Sequence, residues 1–136
     1  MAEARAVAEE YYDALRANDL DRISARFDPT SRTEVPGAVL EGPDQVRAWM
    51  KSFFDAFPDI RHEVGDLAVA GQTVSTDVRV SGTHTAPMVT PEGTIPPTGR
   101  TIDLAAENTM EVGDDSIVAL RITFDPGLFM QQLGLA

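Results

Sequence analysis

The stretch TIDLAAENTMEV, residues 101–112, alternates between two kinds of side chain. Successive side chains of a strand point to opposite faces, so a period of two separates even from odd positions. Every even position is apolar except Asn108, and the odd positions are polar apart from Ala105. The stretch therefore predicts a strand with one face on the core and an amide in the middle of that face.

The same period of two extends to the neighbouring sequence. We predict strands near 60–69, 73–84, 100–112 and 116–124, joined where they are close by Gly-containing turns. The inward positions follow from parity and are Ile60, His62, Val64, Val74, Thr76, Val78, Val80, Val118, Leu120, Ile122 and Phe124, besides the even residues of 101–112. His62 and Asn108 are the two strongly polar groups on this predicted inner face.

Helical periodicity dominates the part of the chain before these strands. The predicted helices are 3–17, with Val7, Tyr11 and Leu15 on one face, a short one near 19–27, and the clearest one within 41–59, between Pro43 and Pro58. We also expect a short strand around Arg32 to Val35 and a short helix in the tail, 127–136. Helices followed by antiparallel strands predict one α+β domain over residues 1–136.

Composition narrows the classes of function. The chain has 136 residues, no Cys, two His and a formal net charge of −11. This acidity argues against nucleic acids and anionic membranes as partners, because both are polyanions. Without thiolates and with few imidazoles we expect no metal site. The N-terminal sequence resembles neither a signal peptide nor a membrane span, so we expect a cytoplasmic protein.

Three polar residues are candidates for chemistry. Asn108 is the first, because a buried amide without a partner costs about 1–3 kcal/mol and is retained where a hydrogen bond or a ligand satisfies it. An internal hydrogen bond, for example to Tyr12, is an equally good explanation. His62 is a second candidate, although a bulge would turn it outward. Asp125 precedes Pro-Gly, which is typical of a turn or a cap, and is a secondary candidate.

An open end of a bent sheet would leave a pocket, the default binding site. Its expected lining combines aromatic residues of the helices with inward residues of the strands and a loop residue that would cover it: Tyr12, Trp49, Phe53, Met88, Ala106, Met110, Leu120 and Ile122. The alternative for most of the aromatic residues is ordinary core packing, and for Met88 an exposed turn. We expect His84 at the surface.

Several motifs resemble those of SnoaL-like polyketide cyclases, in the nuclear transport factor 2-like superfamily. They occur in the family's order along nearly the whole chain: FFDAFPDIRHEVGDLAVAGQTV (53–74), SGTHT (81–85), IPPTGR (95–100), DDSIV (114–118), FD (124–125) and QQLGL (131–135). The resemblance implies a cone, in which a curved antiparallel sheet wraps around N-terminal helices and encloses an apolar pocket. It also implies a homodimer formed through the sheet.

The resemblance implies aldol ring closure without metal or cofactor, with a strand-borne Asp and a nearby His as acid and base. Matched residue by residue, that Asp falls at Ile122, the His at Asn108 and a further polar pocket residue at Ala106. Isoleucine cannot transfer a proton, and an amide is a poor base at neutral pH. The acid–base pair of the family is therefore missing from this chain.

Three functions follow from these expectations. The first is a cofactor-independent cyclase or isomerase that acts on a polyketide-like or other apolar metabolite, with Asn108 as a donor to a developing enolate or alkoxide. The second is a non-catalytic module that binds a small apolar ligand. The third is a structural or interaction protein with a filled cavity. The resemblance favours the enzyme.

Overall fold

The computed structural model describes residues 3–90 and 92–135, which form four helices and nine strands. The helices are α1 (Ala4–Arg16), α2 (Leu20–Ser24), α3 (Gly42–Ala56) and α4 (Pro126–Gln132). The strands are β1 (Phe27–Val35), β2 (Ala38–Glu41), β3 (Arg61–Val64), β4 (Ala68–Ala70), β5 (Thr73–Thr83), β6 (Met88–Thr90), β7 (Gly93–Ile95), β8 (Thr101–Gly113) and β9 (Ser116–Thr123).

Seven strands form one curved sheet in the order β2-β1-β9-β8-β5-β3, with β4 also paired to β5. β1 runs parallel to β9, and the other described pairings in this sheet are antiparallel. The predicted α+β cone is confirmed, but the sheet is mixed rather than antiparallel throughout. A parallel pair needs a long connection, and most of the chain lies between β1 and β9.

The two long helices have the buried stripes that their sequences predict. Val7, Tyr11 and Leu15 of α1 are buried. α1 ends shortly before Asn18, whose φ of 53° lies in the left-handed region that Asn tolerates better than most residues. α3 has a Pro in its first turn, and its buried face points to the sheet.

β8 is the central strand and shows the predicted alternation of buried and exposed residues along its whole length. Its neighbours β5 and β9 place Thr76 and Ile122 directly opposite Asn108. Asn108 is 4% exposed, so the amide does lie on the inner face of the sheet.

The inward face of β9 differs from the parity prediction at its start. The register between β8 and β9 shifts after Glu111. Glu111 pairs with Ala119, and the next residue, Val112, pairs with Ile117, so that Val118 is the extra residue of a bulge. Such a bulge turns the extra residue outward. Ile117 is therefore fully buried and Val118 is 37% exposed, the reverse of the expectation, whereas Leu120 and Ile122 face inward.

Other boundaries also differ. The predicted strand 60–69 is divided into β3 and β4 by residues 65–67. The helix expected to reach residue 27 ends at Ser24, so that β1 is longer than predicted. The Pro-rich loop contains the hairpin of β6 and β7, and the tail helix ends at Gln132, while Ala136 lies outside the described residues.

The helices and the inner sheet face enclose two neighbouring hydrophobic clusters. The larger joins α1 and α3 to β5, β8 and β9, and the smaller joins the end of α3 to β6, the start of β8 and α4. None of the described helices is long and apolar enough to cross a membrane.

Candidate small-molecule site

A cavity lies between the inner face of the sheet and helices α1 and α3. The volume of the cavity that is open to the centre of a water molecule is about 70 Å³. This exceeds the volume of about 10–15 Å³ that is enough to hold one water. Its lining is mostly apolar or aromatic and consists of Tyr11, Leu15, Trp49, Met50, Phe53, Phe54, Ile60, His62, Val78, Val80, Ile102, Leu104, Ala106, Asn108, Ile122 and Phe124. No Asp, Glu, Lys or Arg of the described residues lines it.

Asn108 projects into this cavity from the middle of β8. Within residues 3–90 and 92–135 no hydrogen bond joins its side-chain amide to another residue, and the amide is not among their fully buried polar atoms without a partner, so it is accessible to water. The flanking lining residues Ala106 and Ile122 offer no side-chain polar group. A carboxamide has two donors and an acceptor with two lone pairs. The expected internal hydrogen bond to Tyr12 does not form, so the amide is free to bind a ligand or water.

His62 lines the cavity from β3, opposite Val80 of β5. Its ring lies 5.8 Å from that of Phe54, measured between centroids. Burial lowers the pKa of His62 from 6.5 to about 4, because the charged imidazolium would lose its hydration. Its Nδ1 is buried and has no partner among the described residues. His62 is therefore a neutral imidazole at pH 7.

Tyr11, rather than the expected Tyr12, lines the cavity. Neighbouring helix residues are about 100° apart around the axis, so only one of the two rings can share the cavity side with Leu15. Tyr12 is 1% exposed and packs edge-on against Tyr11, with ring centroids 4.9 Å apart. Burial raises the pKa of both phenols, which stay neutral donors.

One wall of the cavity is aromatic. Trp49 and Phe53 both line it, and their rings meet edge-to-face with centroids 4.9 Å apart. Both are half-buried, as expected of residues that border a pocket rather than fill a core. Phe54, which the helical stripe did not include, lines the cavity as well.

Three residues expected in the lining lie elsewhere in the interior. Met110 and Leu120 are opposite each other on β8 and β9 and are buried in the larger cluster, outside the cavity. Met88 is 5% exposed and belongs to the smaller cluster, so it packs as a core residue and does not cover the cavity.

Asp125 is exposed and caps α4. Its Oδ1 accepts hydrogen bonds from the backbone N–H groups of Gly127 (2.9 Å) and Leu128 (3.1 Å). This is the cap that an Asp before Pro-Gly predicts. The carboxylate thus caps the helix and is not among the cavity-lining residues.

His84 is fully buried rather than at the surface. Its ring stacks on Phe57 with centroids 5.1 Å apart, and its Nδ1 accepts a hydrogen bond from the backbone N–H of Thr98 (3.3 Å). Burial lowers the pKa of His84, since a charged ring would lose its hydration, and a backbone hydrogen bond with Ala86 opposes part of this shift. His84 does not line the cavity. Its contact with Thr98 stabilises the Pro-rich loop.

The missed lining residues have recognisable sequence features. Val78, Val80, Ile102 and Leu104 occupy inward parity positions of β5 and β8, next to residues that were chosen. Phe124 likewise occupies an inward position. The curvature of the sheet decides which inward residues face the cavity and which face packed side chains. The alternation of residues along a strand carries no information about this curvature.

Comparison with known proteins identifies the family. Residues 8–120 match the model of the SnoaL-like domain family. The chain belongs to the SnoaL-like family. This confirms the family resemblance found in the sequence, and the match includes the motifs between residues 53 and 118. None of the curated proteins compared with this SnoaL-like chain matches it.

Solved structures support the same fold. A candidate SnoaL-like polyketide cyclase from Jannaschia sp. CCS1 superimposes with a TM-score of 0.84 at 20% identity, covering 98% of this chain and 92% of its own. AclR, a candidate hydroxylase from Streptomyces galilaeus, gives 0.81 at 20%, with 98% and 96% covered. IdmH, a candidate polyketide cyclase from Streptomyces antibioticus, gives 0.77 at 23%, with 98% and 99% covered. At these identities the similarity shows the fold alone.

Proposed function

We propose that this SnoaL-like protein binds a small, neutral, flat ring metabolite in its cavity, with a ligand carbonyl or hydroxyl on Asn108. The observation that supports it is the buried Asn108 amide, which has no partner among the described residues and faces an apolar hollow. A polar group held in such a place is costly unless something satisfies it, and a ligand can do so.

The charge of the lining supports a neutral ligand. A carboxylate or phosphate inside the cavity would have no cationic partner, and an unpaired buried charge is very unfavourable. Aromatic walls such as Trp49 and Phe53 favour a flat, unsaturated molecule that packs against ring faces and edges.

The reaction we propose is ring closure or isomerisation without a cofactor. In ring closure an enol carbon of the precursor would attack the carbonyl carbon of the same molecule, an N–H of Asn108 would donate to the carbonyl oxygen as it becomes an alkoxide in a site of low dielectric, and the enol proton would pass through water to that oxygen. The walls would hold a reactive precursor folded, which alone lowers the entropic part of the barrier. The alternative is ligand binding without turnover, and Ile122 at the family's acid–base position favours it.

Replacing Asn108 by Leu tests the site. The two probes are 1-tetralone, an aromatic ketone, and tetralin, the same ring system without the carbonyl. Loss of one hydrogen bond should weaken 1-tetralone binding by about fivefold to tenfold. Tetralin binding should not weaken. Titration calorimetry or NMR measures both dissociation constants.

The control is Thr109→Val, a change on the outward neighbour of Asn108 in the same strand. It should leave both dissociation constants unchanged. Equal binding of 1-tetralone by the wild-type protein and the Asn108→Leu variant would remove Asn108 from the site. Failure of the wild-type protein to bind either probe would contradict the binding function itself.

Native mass spectrometry combined with analysis of the released ligand separates the enzyme from the binding module. Protein purified without denaturation is incubated for hours, and any bound small molecule is identified by mass and then compared before and after incubation by chromatographic retention and NMR, because ring closure and isomerisation conserve mass. A ligand whose retention and spectrum change with incubation supports catalysis. A ligand that is released chemically unchanged supports the binding module.

We also propose a homodimer through the outer face of the sheet. That face carries exposed ion pairs: Arg79 meets Asp103 through two contacts of 2.7 and 2.5 Å, and Arg121 meets Glu34 at 2.9 Å. Because these side chains are 43–65% exposed, their charges are open to contact with a second copy.

A further inference from the structure

The cavity contains a second polar group whose environment resembles that of Asn108. Of the described residues that line the cavity, four have a side-chain nitrogen or hydroxyl: Asn108, His62, Tyr11 and Trp49. The Nδ1 of His62 is buried and makes no hydrogen bond within the described residues. An apolar side chain would satisfy the alternating pattern of β3 without this cost.

His62 and Asn108 lie far apart on the inner face, on strands β3 and β8, which are separated by β5. Their partners on β5 are Val80 and Thr76, four residues apart, which is about 13 Å along a strand. The two groups therefore cannot share one functional group of a ligand without large movement.

An apolar floor separates them. Val78 and Ala106 form a pair between the two sites, and Leu104 lies opposite Val80. All of these line the cavity. A ligand that touched both polar groups would need an apolar middle and a polar substituent towards each end.

The chemistry of His62 indicates which substituent fits. No acid of the described residues lines the cavity to stabilise an imidazolium, so the ring stays neutral and keeps one nitrogen lone pair. That lone pair accepts a hydrogen bond from O–H. A carbonyl group would match the donors of Asn108 better.

We propose that His62 is a specificity-determining residue that accepts a hydrogen bond from a ligand hydroxyl, at the end of the cavity away from Asn108. The inference rests on the proposed binding function. It restricts the ligand to a ring system that carries a phenol, enol or alcohol at a distance from its carbonyl.

The experiment compares 2-naphthol with 2-methoxynaphthalene, which has the same rings and oxygen but no donor. The wild-type protein should bind 2-naphthol about fivefold to tenfold more tightly, corresponding to one hydrogen bond. His62→Phe should remove this preference and keep the affinity for 2-methoxynaphthalene. Arg61→Ala, a change on the exposed, outward neighbour of His62 in the same strand, is the matched control and should keep the preference.

Fluorescence gives a readout that a structural role of His62 would not change. Excited 2-naphthol is a strong acid and emits as naphtholate only if a base accepts its proton. Bound to the wild-type protein or to Arg61→Ala it should show naphtholate emission, and bound to His62→Phe only naphthol emission. His62→Gln, whose amide oxygen accepts a hydrogen bond but is a poor base, should restore part of the binding preference without the naphtholate band.

The outcomes distinguish this inference from the function on which it rests. If the wild-type protein binds both probes equally, or if His62→Phe and His62→Gln keep the full preference, the role of His62 is overturned while the cavity stays a binding site. If the wild-type protein binds neither probe and no ring ketone, the binding function fails and this inference fails with it.

Discussion

Burial keeps the imidazole of His62 neutral over a wider pH range than in the unfolded chain. Its pKa is 6.5 when unfolded and about 4 in the folded protein. Between these values the unfolded chain binds a proton that the folded protein does not, so the free energy of unfolding falls as the pH falls. Above pH 6.5 His62 contributes no pH dependence, and below pH 4 the loss is complete.

Replacing His62 by Phe should therefore flatten the pH dependence of stability. From pH 6.5 to 4 the wild-type protein should lose up to about 3 kcal/mol more than the variant does, from a shift of 2.5 units at about 1.4 kcal/mol each. Urea unfolding at several pH values measures the free energy of unfolding of both proteins. The contributions of the carboxylates cancel in the difference, because both proteins have the same acidic residues. Arg61→Ala, on the outward neighbour, should keep the wild-type slope; an equal slope in His62→Phe would contradict the burial of the imidazole.

His84 should stabilise the Pro-rich loop by joining its two ends, where Thr98 contacts the His84 ring. His84→Phe retains the stacking on Phe57 but removes the acceptor of the Thr98 N–H. A donor left without a partner costs about 1–3 kcal/mol. We expect faster hydrogen exchange at the Thr98 amide, measured by NMR. Thr85→Ala, on an exposed neighbour, should leave that exchange rate unchanged, and slow exchange in His84→Phe would show that the loop is held elsewhere.

Single residues were predictable from sequence where the surrounding element is regular. Asn108 could be placed on the inner face because β8 alternates without interruption. His84 could not, since its burial depends on a loop that folds back to supply the Thr98 N–H. The choice between Tyr11 and Tyr12 depends on how α1 is rotated against the sheet, and two adjacent aromatic residues leave that rotation ambiguous.

At the level of elements, α4 is attached to an open part of the sheet edge. β9 pairs with β8 only from Glu107 to Gly113. Within the described residues, the first half of β8 therefore has no strand paired to it on that side. The side-chain amide of Gln132 occupies this edge: it accepts from the N–H of Asp103 (2.8 Å) and donates to its carbonyl (2.9 Å). Phe129 packs beneath, 7% exposed.

Gln132→Ala should loosen α4. Loss of the two hydrogen bonds should cost about 1–2 kcal/mol, because the freed backbone groups of Asp103 can bind water instead. Hydrogen exchange at the Asp103 amide should become faster, and urea unfolding should report the lost stability. Gln131→Ala is the matched control, since that side chain is exposed. Identical exchange in the two variants would show that packing of Phe129 alone holds the helix.

Element type was predictable from sequence, whereas interruptions were not. The two long helices and strands β5 and β8 follow from the period of their apolar residues. The bulge at Val118 and the break after Val64 change the register by one or a few residues without changing composition. A bulge is set by the pairing with the neighbouring strand, and the sequence of one strand does not contain that information.

At the scale of the whole molecule, the cone came from the resemblance of spaced motifs to a family. Local periodicity supplied an α+β domain but not the order of the strands, and it gave no sign that β1 would run parallel to β9. The hollow interior likewise depends on curvature. The local pattern of the sequence did predict the two faces of the sheet, an apolar inner face and a charged outer face.

The outer face leads to the last prediction, which concerns the proposed dimer. In a symmetric dimer the same surface meets itself, so each substitution acts twice. Arg121 lies on this face beside Glu34, and a carboxylate at its position would put like charges together in a chain whose net charge is already −11. Arg121→Glu should weaken dimerisation by about tenfold or more, corresponding to about 1.4 kcal/mol. Arg16→Glu, on α1, makes the same change of charge away from the sheet and should leave the dimer intact. Sedimentation velocity over a range of concentrations measures both. A wild-type protein that sediments as a monomer at micromolar concentration would contradict the dimer, and equal effects of the two substitutions would mean that total charge, rather than this face, controls association.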